Sequence, residues 1–197
     1  MVLSLTGIAA VMGAALGVVH HYTEQPIAQA VENARYEALS SVLPSGDALR
    51  IGDEQEVMVP GDSRPVVVFP AEAGGKFAGA AVETWTMDGF SGEIDVMVGF
   101  SADGKISGYK VLSHAETPGL GAKADEWFRL ENETSDGATG ASQKGGRSII
   151  GTSRVLSVSK DGGDIDGITA ATITSRAFLQ AVNRARKAFE IYTSNCD

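Results

Sequence analysis

The chain has 197 residues, of which 43% are hydrophobic, and its formal net charge is −9. This length and composition favour one domain with a sizeable core. The acidic charge repels phosphate backbones and argues against nucleic acid as a partner. A single cysteine, Cys196, cannot form an intrachain disulfide, a zinc cluster or an iron–sulfur cluster. The histidines are scattered and His114 with Glu116 is only a weak metal-binding pair, so we predict no metal site.

An uncharged apolar run opens the sequence and continues to Val19. At about 1.5 Å per residue, a helix over this run approaches the roughly 30 Å hydrocarbon thickness of a bilayer. The His-His-Tyr triplet at 20–22 suits the membrane–water interface. We therefore predict a single transmembrane anchor over residues 1–22. The alternatives are a secretory signal peptide, which normally has a basic start, and a buried core helix.

Small residues recur along this run near helical spacing, which would let the helix pack closely against other transmembrane helices. They are Gly7, Ala9, Ala10, Gly13, Ala14, Ala15 and Gly17. This pattern indicates a subunit of a membrane complex.

Two more helices are predicted after the anchor. The first covers residues 27–43, where apolar side chains have helical spacing. Pro26 favours its start and Pro44 its end, and we expect it to continue from the anchor and dock on a soluble domain at 23–197. The second covers residues 172–192 and has a one-sided apolar stripe. The stripe comprises Ala177, Phe178, Ala181, Val182, Ala185, Ala188, Phe189 and Tyr192.

Strands are predicted between these helices from short apolar or alternating runs. The runs are 65–69, 77–86, 93–100, 106–112 and 156–160. An Asp-Gly turn between the third and fourth runs indicates a hairpin. Along 93–100, the side chains of Ile94, Val96 and Val98 share one face, and those of Glu93, Asp95 and Met97 share the other. This order of elements favours an α+β fold, with an antiparallel sheet and packed helices.

Two stretches are predicted to lack regular structure. Residues 131–147 are rich in Gly, Ser and Thr and indicate a long exposed loop. Residues 87–92, MDGFSG, form a turn cluster.

Residues 166–172 read DGITAAT and immediately precede the last predicted helix. The N–H groups at a helix start lack partners and carry partial positive charge, which favours binding of a phosphate group. The alternative is that Thr169 or Thr172 simply caps the helix. The residues alone leave both interpretations open.

This heptapeptide resembles the flavinylation motif Asp-Gly-x-Ser/Thr-Gly-Ala-Thr, with Ala170 where the motif usually has glycine. The segment 114–121, HAETPGLG, resembles a segment that wraps the flavin in the same proteins. Together with the block 92–114 and the anchor, the chain resembles the G-subunit family of the Rnf ion-translocating electron-transport complex over nearly its whole length. The C subunits of sodium-translocating NADH:quinone reductase are close relatives, usually longer, and remain an alternative.

The resemblance implies that a flavin transferase joins FMN through its phosphate to Thr172. A carboxylate beside a phosphate is repulsive, so we expect Asp166 to be a recognition residue for that enzyme rather than an FMN ligand. It also implies a single-pass subunit of the cytoplasmic (inner) membrane, with its soluble domain on the periplasmic or extracellular side. Such a subunit passes electrons between the other membrane and redox subunits of a ferredoxin:NAD+ oxidoreductase. It has no catalytic residue of its own.

The candidate cofactor-binding residues lie in four segments. They are Trp85, Thr86, Glu116, Thr117, Gly119, Leu120, Gly121, Lys160, Thr169, Ala171, Thr172 and Arg176. The glycine-rich loop would bring backbone N–H groups to the ring, and Glu116 and Thr117 would bond ring edges or hold the loop. A plain Pro-Gly turn is the alternative for this loop.

The remaining candidates are matched to the ring or to the phosphate. Trp85 would stack on the ring, with Thr86 as a weaker contact, unless Trp85 is an ordinary core residue. Lys160 would neutralise the phosphate or the ring, unless it is an ordinary surface lysine, and Arg176 would neutralise the phosphate. Two rival functions are a membrane-tethered module that binds a ligand non-covalently and a secreted enzyme released by signal cleavage.

Overall fold

The computed structural model describes residues 2–44, 49–129 and 148–195. The chain divides into two compact units, Met1–Glu37 and Ala38–Asp197. The loop predicted at 131–147 lies outside the described residues.

The first unit consists of most of helix α1, which spans Val2–Val42 without interruption. The helix start expected at Pro26 is therefore wrong: Pro26 lies inside α1. A proline removes one backbone hydrogen bond from a helix, and the other bonds of this long helix continue past it. By length and composition, α1 could cross a membrane. Thr6 and Thr23 satisfy their hydroxyls within the helix by donating to the carbonyl four residues earlier.

The second unit is built on an antiparallel sheet, which confirms the α+β prediction. The strand order is β1-β3-β4-β5-β6, and β2 pairs with β3 beside β1. The strands are β1 Leu49–Ile51, β2 Gln55–Val57, β3 Val66–Ala73, β4 Lys76–Gly89, β5 Gly92–Ser101 and β6 Ile106–His114. A short 3-10 helix at Gly121–Lys123 leads into α2 at Ala124–Trp127, and another 3-10 helix occupies Ser159–Asp161. The last helix, α3, spans Thr172–Ser194.

Helix α3 covers one face of the sheet with its apolar stripe, as predicted. Every residue of the predicted stripe is buried. Phe178 of this stripe stacks on Phe128 at 4.7 Å between ring centroids. The result is a core between α3 and the sheet that fixes the direction of α3 and the place of its first turn.

The C-terminal end of α1 packs against the opposite face of the sheet. Leu39 and Val42 contribute to a second buried cluster that includes Met97 of β5. Met97 is fully buried although it shares a face with Glu93 and Asp95, because the end of α1 covers that part of the sheet.

Two glycines allow this close approach of α1. A Cβ on Gly99 would lie 2.0 Å from the carbonyl oxygen of Val42, and one on Gly108 would lie 3.0 Å from its Cα. The hydroxyl of Ser107 donates to the same carbonyl at 2.6 Å. The helix end is therefore held by backbone contact and by one hydrogen bond.

The strand predicted at 156–160 is wrong. Val158 forms only an isolated bridge with Ile165, and the chain then enters the 3-10 helix. The reason lies in Asn183 of α3, whose side-chain amide bonds both backbone groups of Leu156, at 2.8 and 2.7 Å. Since these groups are paired with α3, the segment follows α3 instead of joining the sheet.

Candidate functional site

The segment 166–171 is a tight loop tied to the first turn of α3. Ala171 donates its N–H to the carbonyl of Ile168 at 3.0 Å, which closes a turn. The fully buried Ser175 accepts the N–H of Ile168 at 2.9 Å and donates its hydroxyl to the carbonyl of Ala171 at 2.9 Å. One serine of α3 thus holds both ends of the turn.

Ala170 adopts a left-handed backbone conformation, with φ of 62°, and is the only non-glycine residue with positive φ in the described part of the chain. An L-residue with a Cβ is strained there by about 1–2 kcal/mol. This strain gives a physical reason why glycine is usual at this position of the motif.

Helix α3 begins at Thr172 without a side-chain cap. The capping role considered for Thr169 and Thr172 is therefore not found: Thr169 is exposed in the turn, and Ala171, itself buried, is the N-cap residue. The partly buried Thr172 instead accepts a hydrogen bond from Nζ of Lys160, with 3.0 Å between Nζ and Oγ1. An uncapped helix start and a lysine thus lie at the same hydroxyl.

Arg176, one turn further along α3, is bound to a carboxylate. Its Nε and Nη2 donate to the two oxygens of Asp161 at 2.7 and 2.6 Å. The hydrogen bond from Arg176 lowers the pKa of Asp161 below its ordinary value. Lys160 is therefore directed at Thr172, whereas Arg176 is held by Asp161.

The loop 116–121 has an exposed tip and a buried base. Thr117, Gly119 and Leu120 are exposed, and the carbonyl of Thr117 accepts the N–H groups of Leu120 and Ala122 at 3.1 and 3.3 Å. Gly119 adopts φ of 78°, a backbone conformation that glycine reaches without the strain that a side chain would cause. The loop is thus a Pro-Gly turn, and its apolar tip residue Leu120 faces solvent.

Glu116 and Gly121 form the buried base of this loop. Glu116 is 5% exposed, and its carboxylate accepts the hydroxyl of Thr174 at 2.6 Å and the N–H of Ser91 at 2.9 Å. The 116–121 loop, the β4–β5 turn at residues 90–91 and α3 therefore meet at the side chain of Glu116.

Trp85 and Thr86 belong to β4 and pack against a later part of α3. Thr86 is buried and donates to Oε1 of Gln180 at 3.1 Å. The guanidinium groups of Arg64 and Arg184 lie 4.2 and 4.5 Å from the ring centroid of Trp85. Gln180, which bonds Thr86, and Arg184, which bonds the carbonyl of Trp85, follow Thr172 by eight and twelve residues, or about 12 and 18 Å of helix rise. The α3 residues in contact with Trp85 and Thr86 therefore lie two to three turns beyond the attachment candidate. The stacking role of Trp85 stays a prediction.

Phe90 is an aromatic residue within the stretch that was predicted only as a turn. It lies in the β4–β5 turn, next to Ser91, and is 68% exposed. Through Ser91 and Glu116, this turn is tied to the first turn of α3. An aromatic side chain inside a Gly- and Ser-rich turn is the sequence signal that could have identified it.

A groove of about 740 Å³ runs along α3 beside this region. Ile173 and Asp88 line it, which places it next to both Thr172 and the β4–β5 turn. This volume is within the range of small-molecule sites.

Comparison with known proteins identifies the family. The FMN-binding domain family matches residues 89–187, which include the β4–β5 turn, the 116–121 loop and Thr172. The G subunit of an ion-translocating oxidoreductase complex from Pseudomonas aeruginosa strain UCBPP-PA14 is 33% identical over 194 residues, which cover 94% of this chain and 86% of the relative. The G subunit of the same kind of complex from Shewanella amazonensis is 31% identical over 92% of this chain and 83% of its own length.

A third relative, the G subunit from Aliivibrio fischeri strain MJ11, is 39% identical over 125 residues. That alignment covers 64% of this chain and 56% of the relative, so the match spans little more than half of its length. The family match and the long alignments agree, and the chain belongs to the FMN-binding domain family, with the G subunits of ion-translocating oxidoreductase complexes.

Proposed function

We propose that the chain is a membrane-anchored electron-transfer subunit that carries FMN as a phosphoester on Thr172. The observation that carries this proposal is the geometry at the start of α3. In a chain of the FMN-binding domain family, a threonine hydroxyl lies at an uncapped helix start and in contact with a lysine.

The residues around Thr172 fit an attached phosphate. A phosphodiester carries one negative charge, and the free N–H groups and partial positive charge of a helix start stabilise such a group. The Lys160 ammonium is already within hydrogen-bond distance of the oxygen that would carry the phosphate. In the attachment step, Thr172 Oγ1 loses its proton and forms the new bond to phosphorus. The flavin donor must therefore carry an activated phosphoric anhydride, whose other half leaves.

The surfaces next to Thr172 fit an isoalloxazine ring. Phe90 and Leu120 expose 68% and 40% of their surface on the two segments that Glu116 ties to α3. A flat aromatic ring covers such side chains favourably. Bound FMN would supply one- and two-electron chemistry. The role of the protein is to bind the cofactor and to hold its ring in one orientation.

The membrane location and the partners follow from α1 and from the relatives. We propose that residues 1–22 anchor the chain in the inner membrane and that residues 23–197 form an FMN-binding domain on its periplasmic or extracellular side. The relatives are named as subunits of an ion-translocating oxidoreductase complex, which supports partnership with other redox subunits of an Rnf-type complex and with a flavin transferase.

Intact-mass measurement of the chain, produced with a flavin transferase, tests the covalent bond. The wild-type mass is expected to exceed the sequence mass by FMN less one water. The chain should also fluoresce under ultraviolet light on a denaturing gel. Thr172→Ala should lose both signals, and Thr193→Ala, near the other end of α3, should keep them. Flavin that leaves on denaturation would instead support a non-covalent binding module.

A further inference from the structure

We propose that Glu116 is a positioning residue, whose carboxylate locks the β4–β5 turn and the 116–121 loop onto the first turn of α3. It thereby sets where the flavin ring lies relative to Thr172. This inference rests on the proposed function, and it assigns Glu116 a role through the protein rather than by direct contact with FMN.

The two oxygens of the carboxylate bind two different segments. Oε1 accepts the N–H of Ser91 in the β4–β5 turn at 2.9 Å. Oε2 accepts the hydroxyl of Thr174 in α3 at 2.6 Å. Hydrogen bonds to a charged acceptor are about twice as strong as neutral ones, so one side chain joins three segments firmly.

Two glycines provide the space for this carboxylate. A Cβ on Gly121 would lie 2.5 Å from Oε2, and one on Gly89 would lie 2.8 Å from Oε1. Because neither glycine has a side chain, the backbones of the loop and of β4 approach the carboxylate closely. The Glu116 carboxylate and its two hydrogen bonds, which we call the clamp, are thus enclosed by backbone on two sides.

The burial of Glu116 favours a role in holding the segments together over direct contact with the flavin. Only 5% of the residue is exposed, so little of it remains for contact with a bound molecule. Within residues 2–44, 49–129 and 148–195, Glu116 forms no ion pair. The buried carboxylate is therefore stabilised by its two hydrogen-bond donors, Ser91 and Thr174. A buried charge without such donors would be strongly destabilising.

The clamped residues are neighbours of the residues that face the flavin in the proposed function. Phe90 precedes Ser91, Leu120 precedes Gly121, and Thr172 lies two residues before Thr174. Without the carboxylate, the turn and the loop could move independently of α3. The ring surface would then no longer be fixed relative to the attachment point.

The test compares Glu116→Ala and Glu116→Gln with the wild-type full-length chain, all produced with a flavin transferase. Glu126→Ala, which removes an exposed carboxylate from α2, is the matched control. Attached flavin is measured by intact mass. Its mobility is measured by fluorescence anisotropy and by iodide quenching of the native protein. Hydrogen exchange at the Ser91 amide is measured in the flavin-free Thr172→Ala background.

Glu116→Ala is expected to keep the attached flavin, to lower its anisotropy and to raise the iodide quenching constant at least twofold. Exchange at the Ser91 amide should accelerate about tenfold or more, since a hydrogen bond to a charged group is lost. Glu116→Gln keeps an acceptor for Ser91 and should lie between wild type and Glu116→Ala. Glu126→Ala should match wild type.

Unchanged anisotropy and quenching in a flavin-loaded Glu116→Ala chain would overturn the inference, as would unchanged exchange at Ser91. If Glu116→Ala does not fold, Glu116→Gln and Thr174→Val, which removes one donor, give the same two readouts. A wild-type chain without attached flavin overturns the proposed function instead, and the exchange measurement then decides whether the clamp exists.

Discussion

Lys160 and Thr172 are joined by a hydrogen bond of 3.0 Å, which connects the 3-10 helix at Ser159–Asp161 to the start of α3. The next residue, Asp161, binds Arg176 through both carboxylate oxygens. The 3-10 helix therefore presents a cation to the Thr172 hydroxyl and an anion to the arginine one turn later. Of the two cations expected to neutralise a phosphate, Lys160 is the one directed at the attachment oxygen.

Lys160→Gln is expected to reduce the fraction of chain that carries flavin several-fold in a fixed labelling time. The physical reason is that a charge-assisted hydrogen bond at an exposed site contributes about 1 kcal/mol. Intact-mass spectrometry measures the fraction. Lys76→Gln, an exposed lysine at the start of β4, is the control, and equal labelling of both variants would contradict a role for Lys160.

Phe90→Ala and Trp85→Ala separate the two candidates for ring stacking. A flavin packed on an aromatic side chain is shielded from solvent, so removal of its stacking partner raises the iodide quenching constant of attached FMN. We expect a rise in Phe90→Ala and none in Trp85→Ala, because Phe90 is exposed near α3's first turn while Trp85 contacts two arginines. A rise only in Trp85→Ala would restore Trp85 as the stacking residue.

Ala170→Gly is expected to increase the free energy of unfolding by about 0.5–1 kcal/mol. Glycine relieves the left-handed strain at φ of 62°, and its greater freedom in the unfolded chain offsets part of that gain. Urea denaturation measures the change. Ala115→Gly, in an exposed segment with negative φ, should lower stability by less than about 1 kcal/mol. Loss of stability in Ala170→Gly would show that strain at this turn is not significant.

Gly99→Ala is expected to destabilise the second unit by about 2 kcal/mol or more. The new methyl group would lie 2.0 Å from the Val42 carbonyl oxygen and 2.7 Å from the Ser107 hydroxyl, so the end of α1 must move. Gly17→Ala, with no atom within 4 Å of its added Cβ, is the matched control. Thermal unfolding of the two variants measures the difference, and equal melting temperatures would mean that the end of α1 does not dock on β5.

The Asp161–Arg176 pair should weaken only in acid. The hydrogen bond from Arg176 holds the pKa of Asp161 below 3.8, so the pair contributes stability above that pH and loses it as the pH falls through the lower folded-state pKa. NMR titration of the carboxyl carbon should give a midpoint below 3.8, and Arg176→Gln should raise it towards 3.8. Asp103, whose pKa is lowered to about 2 by Lys105 and Ser101, should not change and serves as the control.

The elements that the sequence predicted correctly are those whose signals are local. The stripe of α3 repeats with helical spacing, and the hairpin of β5 and β6 combines alternation with an Asp-Gly turn. The segment 156–160 has the same kind of local signal but is not a strand. Its backbone partner is the side chain of Asn183, which lies 27 residues after Leu156 in the sequence.

Local sequence patterns were sufficient to predict an apolar helix at the start, an antiparallel α+β unit after it and a threonine at the first position of the last helix. These features depend on periodicity and turn chemistry within a few residues. Only the folded chain shows that Lys160 and not Arg176 is directed at Thr172, that Phe90 lies with the loop, and that Glu116 joins three segments. Such pairings depend on which distant side chains the sheet and α3 bring within hydrogen-bond distance, and spacing along the chain does not contain that information.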